Sequence, residues 1–216
     1  NREEKLQAAC DRFYGRNKFR NDIAEELEAD YIEKGGFLRI SDLAAHRTKI
    51  EEPVSVNYKG YTIYKCGPWT QGPFLLQTMR LLEQFDLKAM GLLSADTIHV
   101  MAEAIKLAMA DRDEYYGDPE FVEVPLKILL SDAYTKMRQP LIDLKKASIE
   151  ARPGDPYNMQ PLATPSVFRP GIGGTTTCVV ADRWGNVVSA TPSANVPLEP
   201  RDGGKTGVTF SNRLLS

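Results

Sequence analysis

The residues most suited to chemistry are Gly173-Gly174-Thr175-Thr176-Thr177. A threonine hydroxyl is a weak nucleophile and attacks a carbonyl only when a neighbouring base takes its proton. A chain supplies that base itself if the threonine is its first residue, because the α-amine then sits on the same residue as the hydroxyl. Reaching that state requires cutting the peptide bond before the threonine. The hydroxyl can do this by attacking the preceding carbonyl where the backbone is strained and flexible. Gly174 suits the step, since it has no side chain to obstruct the attack and accepts unusual dihedrals. Three consecutive threonines are equally what an ordinary β-strand takes at its start. On these residues alone both readings stand.

Other reactive side chains are few. Two histidines, His46 and His99, cannot build a multi-histidine zinc centre. Neither lies near a Gly-x-Ser-x-Gly nucleophile motif, which the sequence lacks. His99 and Glu103, one turn apart on a predicted helix, read as a structural pair. Asp111 and Arg112 read as an internal salt bridge, and Asp182 to Asn186 as a structural turn. The Trp69 loop either lines a site or covers the core. Cys10, Cys66 and Cys178 cannot all pair within the chain and have neither zinc-ligand nor disulfide-framework spacing. They read as small, buried or half-buried thiols.

Composition narrows the partners. The 216 residues are 42% hydrophobic and 26% charged, with a net charge of −2. Such a chain is globular rather than collagen-like or disordered, and its charge balance argues against a nucleic-acid surface or a polybasic membrane anchor. No run approaches the ~18 apolar residues that a membrane span needs. The chain starts at Asn1 in charged, helix-like sequence with no visible signal peptide, and it stops at Ser216 just after a strand-like run. Both ends are expected to be missing, and the compartment is left open.

The elements that must hold these groups follow from periodicity. Leu6, Cys10, Phe13 and Tyr14 form a helical stripe ended by Gly15. Ile23, Leu27 and Tyr31 form another, stopped by Gly35-Gly36. Ser41 is placed to cap a short helix through Ala45. Val54 to Tyr58 and Tyr61 to Lys65 alternate around Lys59-Gly60, a hairpin signal. A helix carrying Leu75, Leu76, Met79 and Leu82 follows the 67–73 loop. Ser94 caps a longer helix whose expected buried stripe is Ile98, Met101, Ala102, Ile105 and Met109. A further helix starts at Ser131 and ends near Gln139, before Pro140. Between Pro153 and Gly174, five prolines and four glycines without period suggest an extended, mobile connector. Thr175 to Ala181 and Val187 to Thr191 read as strands, and Val208 to Phe210 as a last one.

The run from Thr175 to Ser189, with its Asp-x-x-Gly-Asn turn, resembles the start of the small subunit in the γ-glutamyltranspeptidase family. Upstream, Gly35-Gly36 with Ser41-Asp42-Leu43-Ala44 is similar to that family. So are Gly67-Pro68 with Gln71-Gly72, Leu82 to Leu87 and Ala102 to Lys106. The most specific match is Asp111-Arg112-x-x-Tyr115 with Gly117-Asp118-Pro119-x-Phe121-Val122. The resemblance covers about residues 5 to 215.

The resemblance implies an α+β fold of the N-terminal-nucleophile hydrolase type, a four-layer αββα sandwich incomplete in this stretch. It implies three parts: residues 1–152 from the large-subunit-like region, a 153–174 connector ending at a cleavage site between Gly174 and Thr175, and 175–216 opening the small-subunit-like region. Thr175 would be the nucleophile and its freed amine the base. Ser193 would hydrogen-bond the nucleophile, and Asn195 and Asn212 would contact substrate. The expected activity is autoprocessing amide hydrolysis or acyl transfer on γ-glutamyl compounds such as glutathione, with no cofactor or metal. The remaining segments of the same precursor would be its partners, with no nucleic acid and no membrane span.

Two departures bear on substrate. The family's usual Thr-Thr-His is Thr175-Thr176-Thr177, and Arg213 and Ser216 stand where the family places a Gln or Asn and then an acidic residue that holds the substrate ammonium. These leave two alternatives: an amidohydrolase acting on oxamate-type amides, or an inactive homologue serving as a scaffold.

Overall fold

In the computed structural model the described residues are 1–162, 177–191 and 204–208. The chain divides into two compact units, one built from residues 1–49 and 171–216 and the other from 50–170.

The first unit opens with α1 (Arg2–Phe13), α2 (Asp22–Glu33) and α3 (Ile40–Ala45). Asn1 caps α1 by accepting the Glu4 N–H at 3.0 Å, and Glu4 bonds back to the Asn1 amine at 2.8 Å, a reciprocal cap. The apolar stripe expected on α1 does not go inward: the helix buries no residue, and Leu6 is 55% exposed. Helix α2 buries Ala24, Leu27 and Asp30, so Leu27 alone of its expected stripe is fully covered. Helix α3 starts from Arg39, whose N–H donates to the Asp42 carboxylate at 2.9 Å. Ser41 therefore lies inside the helix and is not its cap.

Arg12 on α1 clasps Asp22 at the start of α2, with Nη2–Oδ2 at 2.6 Å, and Arg20 joins at 2.9 Å. The Arg12 hydrogen bond, reinforced by Arg20, holds the Asp22 carboxyl well below the usual range. A depressed carboxyl binds fewer protons folded than unfolded, so this clasp stabilises above the unfolded value near ~3.9 and is lost as pH falls through the folded one. Asp22→Asn is expected to cost stability at neutral pH, by an amount that shrinks steadily as the pH is lowered from ~4 to ~2. Chemical denaturation of both proteins from pH ~7 down to pH ~2 checks it, and a difference that does not shrink over that range would contradict it.

The second unit begins with β1 (Val54–Tyr58) and β2 (Tyr61–Lys65), paired antiparallel with Val56 opposite Ile63. Lys59 and Gly60 both take positive φ, 49° and 88°, the twist that a two-residue hairpin turn requires. Helices α4 (Gly72–Leu82), α5 (Leu87–Met90) and α6 (Ala95–Tyr115) follow. Leu81 and Leu82 of α4 pack with Val100, Ala104, Leu107 and Ala108 of α6 to make the core, each buried leucine contributing about 1.5–3 kcal/mol. As expected, Ser94 caps α6, its Oγ accepting the Thr97 N–H at 3.1 Å.

The inward face of α6 is not the expected one. Thr97, Val100, Glu103, Ala104, Leu107, Ala108 and Asp111 are buried, whereas Ile98 is 53% and Met101 40% exposed. The helix turns polar residues inward because each finds a partner: Thr97 donates to the Gly91 carbonyl at 2.8 Å, and Glu103 and Asp111 accept from distant chain.

Then come α7 (Leu126–Leu129) and α8 (Asp132–Arg138), with Ser131 capping α8 as expected, and a 3-10 turn over Gln139–Leu141. Strands β3 (Gly154–Asp155) and β4 (Gln160–Pro161) form a short antiparallel pair. This corrects the expectation of a mobile connector from residue 153. Ala151, Pro153, Gly154 and Pro156 are buried, and the Leu162 N–H donates to the Pro153 carbonyl at 3.0 Å. The prolines and glycine mark tight packing here, not looseness. The expected connector beyond Leu162 and the expected strand at 208–210 beyond Val208 lie outside the described residues.

Back in the first unit, β5 (Cys178–Ala181) and β6 (Val187–Ala190) form a third antiparallel hairpin. A 3-10 turn at Gly204–Thr206 sits on α2, where the Lys205 N–H donates to Glu26 at 3.1 Å. The described residues are thus a mixed α/β set of helices with small antiparallel sheets.

Candidate functional site

The hairpin that carries the expected nucleophile region is fixed in register by its turn. The Asp182 carboxylate accepts the N–H groups of Trp184 and Asn186, each at 2.9 Å, and the Asn186 side-chain amide at 2.8 Å. These bonds, the Asn186 amide foremost, hold its carboxyl below the ordinary range. Gly185 takes φ +87°, and the Arg183 guanidinium lies 4.2 Å over the Trp184 ring. The turn has the structural role expected of it. Cys178 faces Ala190, and one step further the hydroxyls of Thr177 and Thr191 meet at 3.2 Å. That contact marks the open end of the hairpin, from which the chain leads two residues back to Thr175 and two residues on to Ser193. Gly174, Thr175, Ser193, Asn195 and Asn212 themselves lie outside the described residues.

The second unit holds an open cavity of ≈ 500 Å³ lined by Trp69, Gln71, Arg112, Asp113, Tyr116 and Asp118 among others. Trp69 faces outward, 56% exposed, and its indole N–H donates to Glu51 at 2.8 Å, so the loop lines a cavity instead of covering the core. Arg112 reaches the Gln71 amide oxygen and Asp113, each at 2.9 Å. The expected Asp111–Arg112 bridge does not form. Asp111 pairs with Arg138 at 3.2 Å, both fully buried. Burial pushes the Asp111 carboxyl up, against the pull of Arg138 and of the N–H of Gly154. Arg138 also donates to the Arg152 carbonyl, while its Nε and Nη1 have no partner among the described residues. Sequence reading missed this buried network. Its visible trace was an Asp on the same helical face as Leu107 and Ala108.

His99 and Glu103 are structural, but not as a pair: His99 Nε2 meets the Asp143 carbonyl at 2.7 Å, and Glu103 binds Arg152 at 3.0 Å. His46 stacks on Tyr14 with ring centroids 5.5 Å apart. The three cysteines are free and exposed, contrary to the expected burial. Among the described residues no group of three His, Cys, Asp or Glu could hold a metal ion, and no helix is long and apolar enough to cross a membrane.

Comparison with known proteins gives these positions a context. The profile of the family described as Gamma-glutamyltranspeptidase matches residues 8–216. The glutathione hydrolase proenzyme of Escherichia coli K12 is 36% identical over 202 residues, 91% of this chain and 33% of that protein. The acylase ACY 1 proenzyme of Pseudomonas sp. SE83 is 35% identical over 173 residues, 77% of this chain and 28% of that one. The crystal structure of Helicobacter pylori gamma-glutamyltranspeptidase superposes with a TM-score of 0.60 at 34% identity, covering 66% of this chain and 40% of that one. The chain spans about a third of the length of the curated relatives it matches.

Proposed function

Because the chain belongs to the gamma-glutamyltranspeptidase family, we propose that it carries the nucleophile of an autoprocessing amide hydrolase or acyltransferase built as a four-layer αββα sandwich. The family match, which runs through the Gly174-Thr175 junction, carries this reading, and relatives named as proenzymes agree with it. In the first step Thr175 Oγ adds to the Gly174 carbonyl carbon. The bond between that carbon and the Thr175 nitrogen breaks, and the nitrogen takes the hydroxyl proton. Water then hydrolyses the resulting ester, leaving a Gly174 carboxylate and a Thr175 with free hydroxyl and free amine. In turnover the same hydroxyl attacks the substrate amide while the amine accepts its proton and passes it to the leaving group. The acyl group then goes to water or to an acceptor amine.

The hairpin register supports the partner assignment. The described chain ends with the hydroxyls of Thr177 and Thr191 in contact, two residues in sequence from Thr175 on one side and from Ser193 on the other. Ser193 would then hydrogen-bond the nucleophile, and Asn195 and Asn212 would hold the substrate. The substrate is a γ-glutamyl compound such as glutathione. The acylase relative and the residues Arg213 and Ser216 favour a second reading, in which the amide is of another class, such as oxamate.

Full-length protein is expected to split on incubation into one piece ending at Gly174 and one beginning at Thr175, and then to turn over a γ-glutamyl anilide. Mass spectrometry and absorbance follow the two events. Turnover of oxamate but not of the anilide selects the second reading, and an intact chain inert to both leaves only a scaffold role.

A further inference from the structure

The motif around Arg112 and Asp118, the most specific in the sequence, has no part in the nucleophile chemistry, yet it builds a cavity. The walls are residues 68–71 ahead of α4, the last turn of α6 and the chain just past it. The lining side chains are held from behind. Glu51 takes the Trp69 indole N–H at 2.8 Å and leaves the ring 56% exposed. The loop beneath is braced, since the Thr70 N–H and hydroxyl both donate to the Gly67 carbonyl, at 3.0 and 2.9 Å. The same hydroxyl accepts the Gly72 N–H at 3.0 Å. Tyr116 donates to the Gln77 amide oxygen at 3.2 Å, and the buried Gln77 is itself tied to Asp111. Gln71 and Asp113 fix Arg112. A cavity whose walls are set before anything enters loses little affinity to ordering them.

The groups left over define the ligand. Arg112 uses three of its five N–H groups on Gln71 and Asp113, and the other two have no partner among the described residues. Asp113 and Asp118 accept through Oδ1, Asp118 from the Glu120 N–H at 2.9 Å, and each Oδ2 has no partner among the described residues. The C-terminal end of α6 adds partial negative charge beside them. A guanidinium takes a carboxylate, open carboxylate oxygens take an ammonium, and an exposed indole takes an apolar group. The volume of ≈ 500 Å³ lies in the range of small-molecule sites. We propose that this cavity binds a small zwitterion, an amino acid or dipeptide. Its carboxylate meets Arg112, its ammonium faces Asp113 and Asp118, and an apolar side chain lies against Trp69. The site stands on its own residues and does not depend on the reading of Thr175.

The test titrates glycylphenylalanine into full-length protein by calorimetry, beside its N-acetyl form, which lacks the ammonium, and its C-terminal amide, which lacks the carboxylate. Wild type is expected to bind the dipeptide with Kd below about 1 mM. Each analogue should bind roughly tenfold more weakly. Arg112→Gln and Trp69→Leu should each weaken the dipeptide by a similar factor, and the amide should bind Arg112→Gln as it binds wild type. The analogues probe the unaltered chain, so they decide the matter even where a variant fails to fold. No binding up to ~10 mM dipeptide, or equal affinity for the dipeptide and both analogues, overturns the proposal. Binding that survives Arg112→Gln and Trp69→Leu unchanged puts the ligand elsewhere and overturns it as well.

Discussion

Full-length protein carrying Thr175→Ala is expected to stay in one piece and to lose turnover of its amide substrate by roughly 10⁴-fold or more. On the proposed mechanism the substitution removes the hydroxyl that attacks the Gly174 carbonyl, so the amine that would serve as base is never freed. Nucleophile and base vanish together, and a loss of 10⁴-fold corresponds to about 5.5 kcal/mol of transition-state stabilisation. Thr175→Ser keeps a hydroxyl and should retain slow cleavage and part of the activity. The informative comparison is between these two variants, with mass spectrometry for the cut and an anilide or oxamate assay for turnover. Activity that survives the alanine variant would assign the nucleophile elsewhere.

The second large effect concerns stability. Arg138→Leu strands the Asp111 carboxylate in a site with no exposure, which is expected to cost about 3–5 kcal/mol. Asp111→Leu alone strands the guanidinium and should cost a similar amount. The double variant removes both charges, leaving the Gly154 N–H and the buried Gln77 amide without their acceptor, a cost of about 1–3 kcal/mol each. Its loss should therefore be well below the sum of the single variants. Urea denaturation of the full-length proteins gives the cycle, and strict additivity would mean that the two groups do not act as a pair.

Local chemistry made much of the fold legible. Ser94 and Ser131 cap the helices they were expected to cap, and Lys59-Gly60 turns the hairpin in the predicted place, because each signal acts within four residues. The inward face of α6 was not legible. Ile98 and Met101 look like core residues, but Glu103 and Asp111 go inward because Ser148, Arg152, Gly154 and Arg138 meet them there, and nothing near those carboxylates in sequence announces such partners. The same long-range partners turn Pro153 to Pro156 from apparent slack into packed chain. The candidate nucleophile was found through a motif and a family likeness, and so were Asp111 and Tyr115, but their shared partner Gly154, about 40 residues on, comes from folding alone.

The ribbon of β5 and β6 has a further consequence. On one side it carries Cys178, Val180, Val188 and Ala190, and on the other Val179, Ala181, Val187 and the single polar Ser189, with all four valines 62–66% exposed. Neither side is fit for water. A ribbon oily on both sides calls for a covering above and another below, as an inner ply of a laminate does. Any preparation that leaves those coverings off should be handled dilute and cold, since the bare valines will otherwise find each other.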